Sequence, residues 1–107
     1  MFFMNERFNK GMETMRQYVS EEELQQMVSN DALAHIAPDL RKLIVEYAYG
    51  DIYSRGELDA KERALVVIST VVTQGAAPQT KTHIKRGLYA GLTEAQIVEA
   101  ILQLAPY

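Results

Sequence analysis

Apolar and polar residues alternate with a helical period along almost the whole chain. The first apolar stripe recurs at intervals of three and four residues and consists of Phe8, Met12, Met15 and Val19. This spacing places all four side chains on one face and predicts an amphipathic helix over about residues 5–18.

Two further helices are predicted in the first half of the chain. The second begins at Ser20, which forms a capping box with Glu23, and continues to about Asn30. Pro38 suits the first turn of a third helix over about residues 38–54, because the N–H that proline lacks would have no partner there. An apolar stripe is expected to turn this third helix toward the core, and it consists of Leu40, Leu43, Ile44, Tyr47 and Ala48.

Start and stop signals predict three helices in the second half. The dense β-branched residues between 64 and 72 also describe a buried strand. The length of the segment from Asp59 to Gly75 and its start signal favour a buried central helix instead. A fifth helix runs from Ala77 to Ala90, where Gly91 supplies a left-handed stop. A further capping box at Thr93 begins the sixth.

The predicted fold class is all-α, a compact bundle of about six helices in a single domain over residues 1–107. The links between helices are only a few residues long, and the chain shows no internal repeat or low-complexity linker. A domain of this size with short helices often leaves an apolar face uncovered, which indicates self-association.

The amino-acid composition excludes several classes of function. The 107 residues contain no cysteine, which excludes disulfides, zinc–thiolate sites, iron–sulfur clusters and thiol catalysis. The net charge of −3 disfavours general binding to nucleic acids, and the last predicted helix carries Glu94 and Glu99 with no lysine or arginine. No apolar run approaches the roughly 18–20 residues that cross a bilayer, so we expect a cytoplasmic protein without a membrane partner.

His83 is the most informative candidate for chemistry. It shares one face of the fifth helix with Gln79, Gly87 and Ala90, while Ile84 and Leu88 are expected to mark the core side. Small residues beside a histidine leave room for a ligand or for a neighbouring helix. The alternative is a histidine paired with a backbone carbonyl at a helix interface. Too few acids and histidines cluster near His83 to predict a metal site. His35, in the junction before the third helix, is expected at the surface or at a cap.

The third helix offers a second candidate face. Glu46, Tyr49, Gly50 and Tyr53 fall on the side away from the expected apolar stripe. A carboxylate with two phenols around a glycine suits a small-molecule pocket, and tyrosines on such a face equally suit a subunit interface. Two arginines near the turn into the fourth helix are candidates for binding a carboxylate, or are ordinary surface residues: Arg55 and Arg63.

Several of these segments occur together and in order. They are Glu46–Arg55, Leu58-Asp59, Arg63, the apolar fourth helix, His83 to Leu88, and Gly91–Ile97 followed by Glu99. Over residues 38–107 this set resembles the carboxymuconolactone decarboxylase family. The resemblance implies the all-α fold of the alkylhydroperoxidase D-like superfamily and a homo-oligomer, often a hexamer built as a trimer of dimers. It also implies loss of carbon dioxide from 4-carboxymuconolactone without a cofactor.

The resemblance separates two branches of this superfamily. Its peroxidase branch uses two cysteines and a glutamate at positions that correspond here to Ala76, Gln79 and Ala64, so only His83 is kept. We therefore expect no thiol peroxidase. Family members also have Arg-Pro-Gly where this chain has Arg55-Gly56-Glu57, and they continue beyond the position of Tyr107. We expect a shortened chain or a member that lacks part of one pocket wall.

The function expected from the resemblance is a lyase acting on a small carboxylated lactone or a related ring compound. In such a lyase His83 carries the proton, Arg63 or Arg55 holds a substrate carboxylate, and Glu46 with Tyr53 positions the substrate or relays a proton. Gln79 lies on the face of His83 and is expected to bind substrate. The alternative is a non-catalytic oligomeric or small-molecule-binding module on the same scaffold.

Overall fold

A computed structural model describes residues 5–107, and it confirms the all-α class. The helices are α1 (Glu6–Met15), α2 (Glu21–Ser29), α3 (Leu40–Ile52), α4 (Ala60–Thr73), α5 (Ala77–Tyr89) and α6 (Glu94–Leu104). The described residues contain no strand. The chain divides into two compact units, one ending at Gly56 and the other running from Glu57 to Tyr107. None of the helices between residues 5 and 107 is both long and apolar enough to cross a membrane.

The core of the first unit is built on the α1 stripe that the sequence predicts. Phe8, Met15 and Val19 are 1 % exposed or less, and Leu24 of α2 is fully buried with them. Burying a side chain of this size contributes about 1.5–3 kcal/mol, so each residue of the stripe stabilises the unit substantially. Asn5 begins α1 by accepting a hydrogen bond from the N–H of Phe8 at 2.8 Å.

Two glycines set the distance between α1 and α3. A Cβ at Gly11 would collide with the carbonyl oxygen of Val45 and lie 2.8 Å from Cγ1 of the same residue. A Cβ at Gly50 would lie 2.9 Å from the carbonyl oxygen of Arg7. The two backbones therefore approach each other more closely than any larger residue at these positions would allow.

The third helix differs from its prediction in both geometry and orientation. Its first turn, Leu40–Leu43, is α-helical, and the remainder, Ile44–Ile52, is a π-helix that ends with a 2.8 Å bond from the N–H of Tyr53 to the carbonyl of Ala48. A π-helix closes its hydrogen bonds over five residues, so buried positions recur as adjacent pairs four residues apart. These pairs are Val45 with Glu46 and Tyr49 with Gly50.

The expected inward stripe of α3 was therefore the wrong face. Most of its members are 39–62 % exposed, and these four residues, which we call the α3 apolar stripe, are Leu40, Leu43, Ile44 and Tyr47. The side that carries the polar residues is buried against α1 instead. An uncovered apolar face was predicted, but on no particular helix, and the α3 apolar stripe is one such face among the described residues.

The second unit resolves the ambiguity of the β-branched segment in favour of a helix. α4 begins with a complete capping box, in which Asp59 and Glu62 each bond the backbone N–H of the other. Ala64, Ile68 and Val71 form its buried face, whereas Val66 is 56 % exposed. The helix is thus buried along one side and not all round.

Glycines end α4 and α5 as predicted. Gly75 and Gly91 have φ of 70° and 112°, a region that side chains with a Cβ rarely adopt. At the second stop, the N–H of Leu92 bonds the carbonyl of Gly87 at 3.0 Å, which satisfies a carbonyl at the helix end. Thr93 and Gln96 then form the predicted capping box of α6.

The side of α5 that faces the core was also mispredicted. Gly87 is buried, whereas Leu88 is 40 % exposed and Ile84 is only partly buried. A Cβ at Gly87 would lie 3.1 Å from Cδ1 of Ile68 and 3.6 Å from Cβ of Ala64. The small residue on the face of His83 thus makes room for α4, one of the two possibilities left open by the sequence.

Candidate functional site

His83 lies in the middle of α5, one helical turn before Gly87 on the face that packs against α4. Its side chain is partly buried. Burial lowers the pKa of the imidazole from its ordinary value of 6.5, and the positive charge of Arg86 lowers it further. The ring is therefore neutral at pH 7, and in this state it accepts a proton at one nitrogen and donates a hydrogen bond from the other.

The other candidate residues of the second unit differ in how firmly their side chains are fixed. Arg63, near the start of α4, donates a hydrogen bond from Nε to the carbonyl of Leu58 at 3.2 Å, which orients its guanidinium. Gln79 is exposed on the first turn of α5. Ala76 and Ala64, which stand at peroxidase cysteine and glutamate positions, lie at the N-cap of α5 and in the buried face of α4.

An apolar groove of about 520 Å³ lies beside the first turns of α5. We call it the α4–α5 groove, and its walls are formed by Val72, Gly75, Ala77, Thr80, Lys81 and Ile84. Neither His83 nor Gln79 is among these residues. The groove and the candidate histidine therefore occupy different faces of the same helix.

In the first unit, the Glu46 side chain is buried between charged and polar neighbours. It is 2 % exposed. Its carboxylate lies 3.4 Å from Nζ of Lys42 and 3.9 Å from Nη1 of Arg7. A hydrogen bond from Asn5, together with the charges of Lys42 and Arg7, lowers the pKa of Glu46 despite its burial. The group is a carboxylate at neutral pH.

The two phenols near Glu46 pack as an aromatic cluster. The ring of Tyr53 lies 4.3 Å from that of Tyr49 and 5.2 Å from that of Tyr18, the second pair being edge-to-face at 88°. Tyr53 is the C-cap of α3, and its ring packs against Tyr18 and Tyr49. The sequence predicted that this face of α3 forms a pocket or a subunit interface. In the structure, the face packs against α1 of the same chain.

Three residues of this polar cluster were not predicted from the sequence. Lys42 stands four residues before Glu46, a helical spacing that signals an ion pair and would have been detectable. Asn5 and Arg7 belong to another helix, and no local pattern links them to Glu46. Arg7 also forms a double hydrogen bond with Asp51, at 3.0 and 2.6 Å, which joins α1 to the end of α3.

The remaining candidates are at the surface. Arg55 is exposed in the turn that follows α3, and its backbone N–H bonds the carbonyl of Ile52. His35 is exposed, as predicted. Among residues 5–107, no three histidine, aspartate or glutamate side chains are grouped as metal ligands.

Comparison with known proteins identifies a family and several relatives. Residues 38–107 match the carboxymuconolactone decarboxylase family. The chain is 29 % identical to a nitrosuccinic acid decarboxylase of Metarhizium robertsii, over 94 % of this chain and 68 % of the relative. It is 24 % identical to a 4-carboxymuconolactone decarboxylase of Acinetobacter baylyi, over 95 % of this chain and 75 % of the relative. An uncharacterized 15.0 kDa protein of Paracoccus denitrificans is 32 % identical over 71 % of this chain and 58 % of its own length.

Proposed function

Because this chain belongs to the carboxymuconolactone decarboxylase family, we propose that it is a carboxy-lyase for a small carboxylated compound. The observation that carries the proposal is the partly buried, neutral His83 on α5. Within residues 38–107 it is the one histidine, and histidine is the side chain that exchanges protons near pH 7.

The names of two relatives narrow the substrate class. One describes a nitrosuccinic acid and the other a carboxymuconolactone. Both are small acids that carry an electron-withdrawing group, a nitro group in one and a lactone in the other. We extend this to the present chain: its substrate has a carboxylate and such a group close enough to share electrons.

The reaction then has two steps. The bond between carbon and carboxylate breaks, carbon dioxide leaves, and the bonding electron pair moves into the nitro or lactone group. A proton then returns to the carbon. The minority imidazolium form of His83 supplies that proton and becomes the neutral ring, which then takes up a proton from solvent; each turnover therefore consumes one proton and needs no oxidant.

Other residues bind and orient the substrate in this proposal. Arg63, oriented by its bond to Leu58, pairs with a substrate carboxylate, and Gln79 donates to an oxygen of the electron-withdrawing group. Glu46, in the first unit, has a lowered pKa and therefore has no proton to give at pH 7, so we assign it no proton transfer.

The test uses the whole chain with 4-carboxymuconolactone and nitrosuccinic acid, each followed by carbon dioxide release. We expect turnover of at least one acid, and a loss of at least 100-fold in kcat/KM for His83→Ala. His35→Ala is the matched control, since it removes the other, exposed histidine. An inactive wild type on both acids, or an active His83→Ala variant, would contradict the assignment.

A second candidate, an oligomeric module without catalysis, is favoured by the exposed α3 apolar stripe. We propose that a second copy of the chain covers this stripe in a homo-oligomer, with a hexamer as the expected size. Sedimentation equilibrium of Leu43→Glu should show a smaller species than wild type, because a charge there would be desolvated in the contact. Glu57→Lys, a charge change at an exposed turn, is the control. A monomeric wild type would refute this contact.

A further inference from the structure

We propose that the α4–α5 groove binds an amphipathic monocarboxylate, a molecule with an unbranched aliphatic chain and one carboxylate at its end. This ligand is distinct from the substrate of the proposed lyase. The proposal rests on the shape of the groove, its apolar walls and the position of its single charged residue.

The space in the groove comes from small residues at the turn between α4 and α5. Gly75 has a positive φ, and no heavy atom lies within 4 Å of the position a Cβ would take there. Ala77 adds only a methyl group on the next helix. The resulting volume of about 520 Å³ is within the roughly 300–1,000 Å³ typical of small-molecule sites.

The walls of the groove favour an aliphatic ligand. Val72 contributes from the end of α4, and Ile84 and Ala77 contribute from α5. The hydroxyl of Thr80 donates to the carbonyl of Ala76 at 3.0 Å, so its proton is already in use inside the helix. A small polar diacid would lose its hydration against such walls, whereas an alkyl chain gains about 0.8 kcal/mol for each CH₂ that it buries.

Charge at the edge of the groove favours a carboxylate at one end of that chain. Lys81 is exposed and is the one charged residue among the six that line the groove. Its ammonium group therefore attracts an anion to the rim of the apolar groove.

The experiment is a titration of the ¹⁵N-labelled chain with octanoate, followed by amide chemical shifts. We expect shifts centred on Val72, Gly75 and Ile84, and affinity about tenfold weaker for hexanoate, since two buried CH₂ groups are lost. Octan-1-ol should bind several-fold more weakly than octanoate. Shifts spread over the whole chain, or equal affinity for the two acids, would overturn the proposal.

Three variants distinguish binding in the groove from general charge attraction. Lys81→Ala should weaken octanoate about two- to fivefold, as expected for an exposed charge pair, and leave octan-1-ol unchanged. Ile84→Asp should weaken both by tenfold or more. Lys85→Ala, one turn along and outside the groove, should have no effect. Equal losses in the two lysine variants would mean general charge attraction, and would refute the site. Because these readouts are binding shifts, they are independent of whether the chain decarboxylates any acid.

Discussion

The close contact between α1 and α3 predicts that Gly11→Ala destabilises the protein, although alanine is the better helix former. In a helix interior, this replacement alone would stabilise by about 1 kcal/mol. The new methyl group, however, would meet the carbonyl oxygen of Val45, which is backbone and cannot rotate away, and would lie 2.8 Å from its Cγ1. Either the two helices separate or α3 shifts. Overpacking costs about 1–3 kcal/mol, and a clash with backbone lies at the upper end of this range. After the gain of about 1 kcal/mol in helix preference is subtracted, we expect a net loss of about 2 kcal/mol.

Gly87→Ala is the matched control for this prediction. Gly87 is also buried within a helix, and alanine there gains the same intrinsic helix preference. Its nearest obstacles are the Cδ1 atoms of Ile68 and Leu92 at 3.1 Å, which are ends of flexible side chains. These can yield by a few tenths of an ångström, so the two effects nearly cancel and stability should stay within about 1 kcal/mol of wild type.

Urea unfolding monitored by far-UV circular dichroism measures the difference, at one fixed chain concentration because association adds to stability. With a typical urea slope, a loss of 2 kcal/mol lowers the midpoint of Gly11→Ala by about 1 M. The midpoint of Gly87→Ala should move much less. A Gly11→Ala midpoint equal to or above that of Gly87→Ala would show that the two helices are not in the contact described.

Three further outcomes follow from single residues. If His83 delivers the proton, kcat/KM falls as the pH rises through the lowered pKa of His83. Arg86→Gln removes a positive charge that lowers this pKa, so the inflection of the pH profile should move to higher pH. If the inflection does not move, the titrating group is not His83. Arg7 lowers the pKa of Asp51 below 3.8, so this pair stabilises the fold above that pH and the contribution is lost as pH falls through the lowered pKa. Asp51→Asn should therefore lower the urea midpoint at pH 6, and this difference from wild type should shrink as the pH is lowered below 3.8, whereas a difference that does not change with pH would contradict this. Gly91→Ala, at φ of 112°, should cost about 1–2 kcal/mol in the same titration, and an unchanged midpoint would argue against the left-handed stop.

The features that sequence predicted well are those decided by neighbouring residues. The capping boxes at Asp59 and Thr93 form because each involves two side chains three residues apart. Gly91 ends α5 because a left-handed residue is needed at that one position. The α1 stripe was predicted correctly because a regular α-helix keeps a 3.6-residue period.

The features that sequence missed depend on distant residues. Glu46 lies on the buried face of α3 because Asn5 hydrogen-bonds its carboxylate and Arg7 lies close to its charge. Both residues come from another segment, whereas the hydrophobic residues of α3 alone predict that the opposite face is buried. Over Ile44–Ile52 the π-helix has more residues per turn than an α-helix, so an α-helical period assigns the wrong residues to the buried face. The lowered pKa of His83 likewise arises mainly from burial in the folded unit, which spacing along α5 does not reveal.

The buried Glu46 connects the orientation of α3 to the proposed homo-oligomer. A buried ion pair adds little net stability compared with well-packed apolar residues, so an apolar side chain at this position would be the simpler way to fill the core. The Glu46 carboxylate instead provides a fixed negative charge that binds the side chains of Asn5 and Lys42. With Glu46 on its buried face, α3 turns the α3 apolar stripe outward, to the side where the proposed second copy would bind.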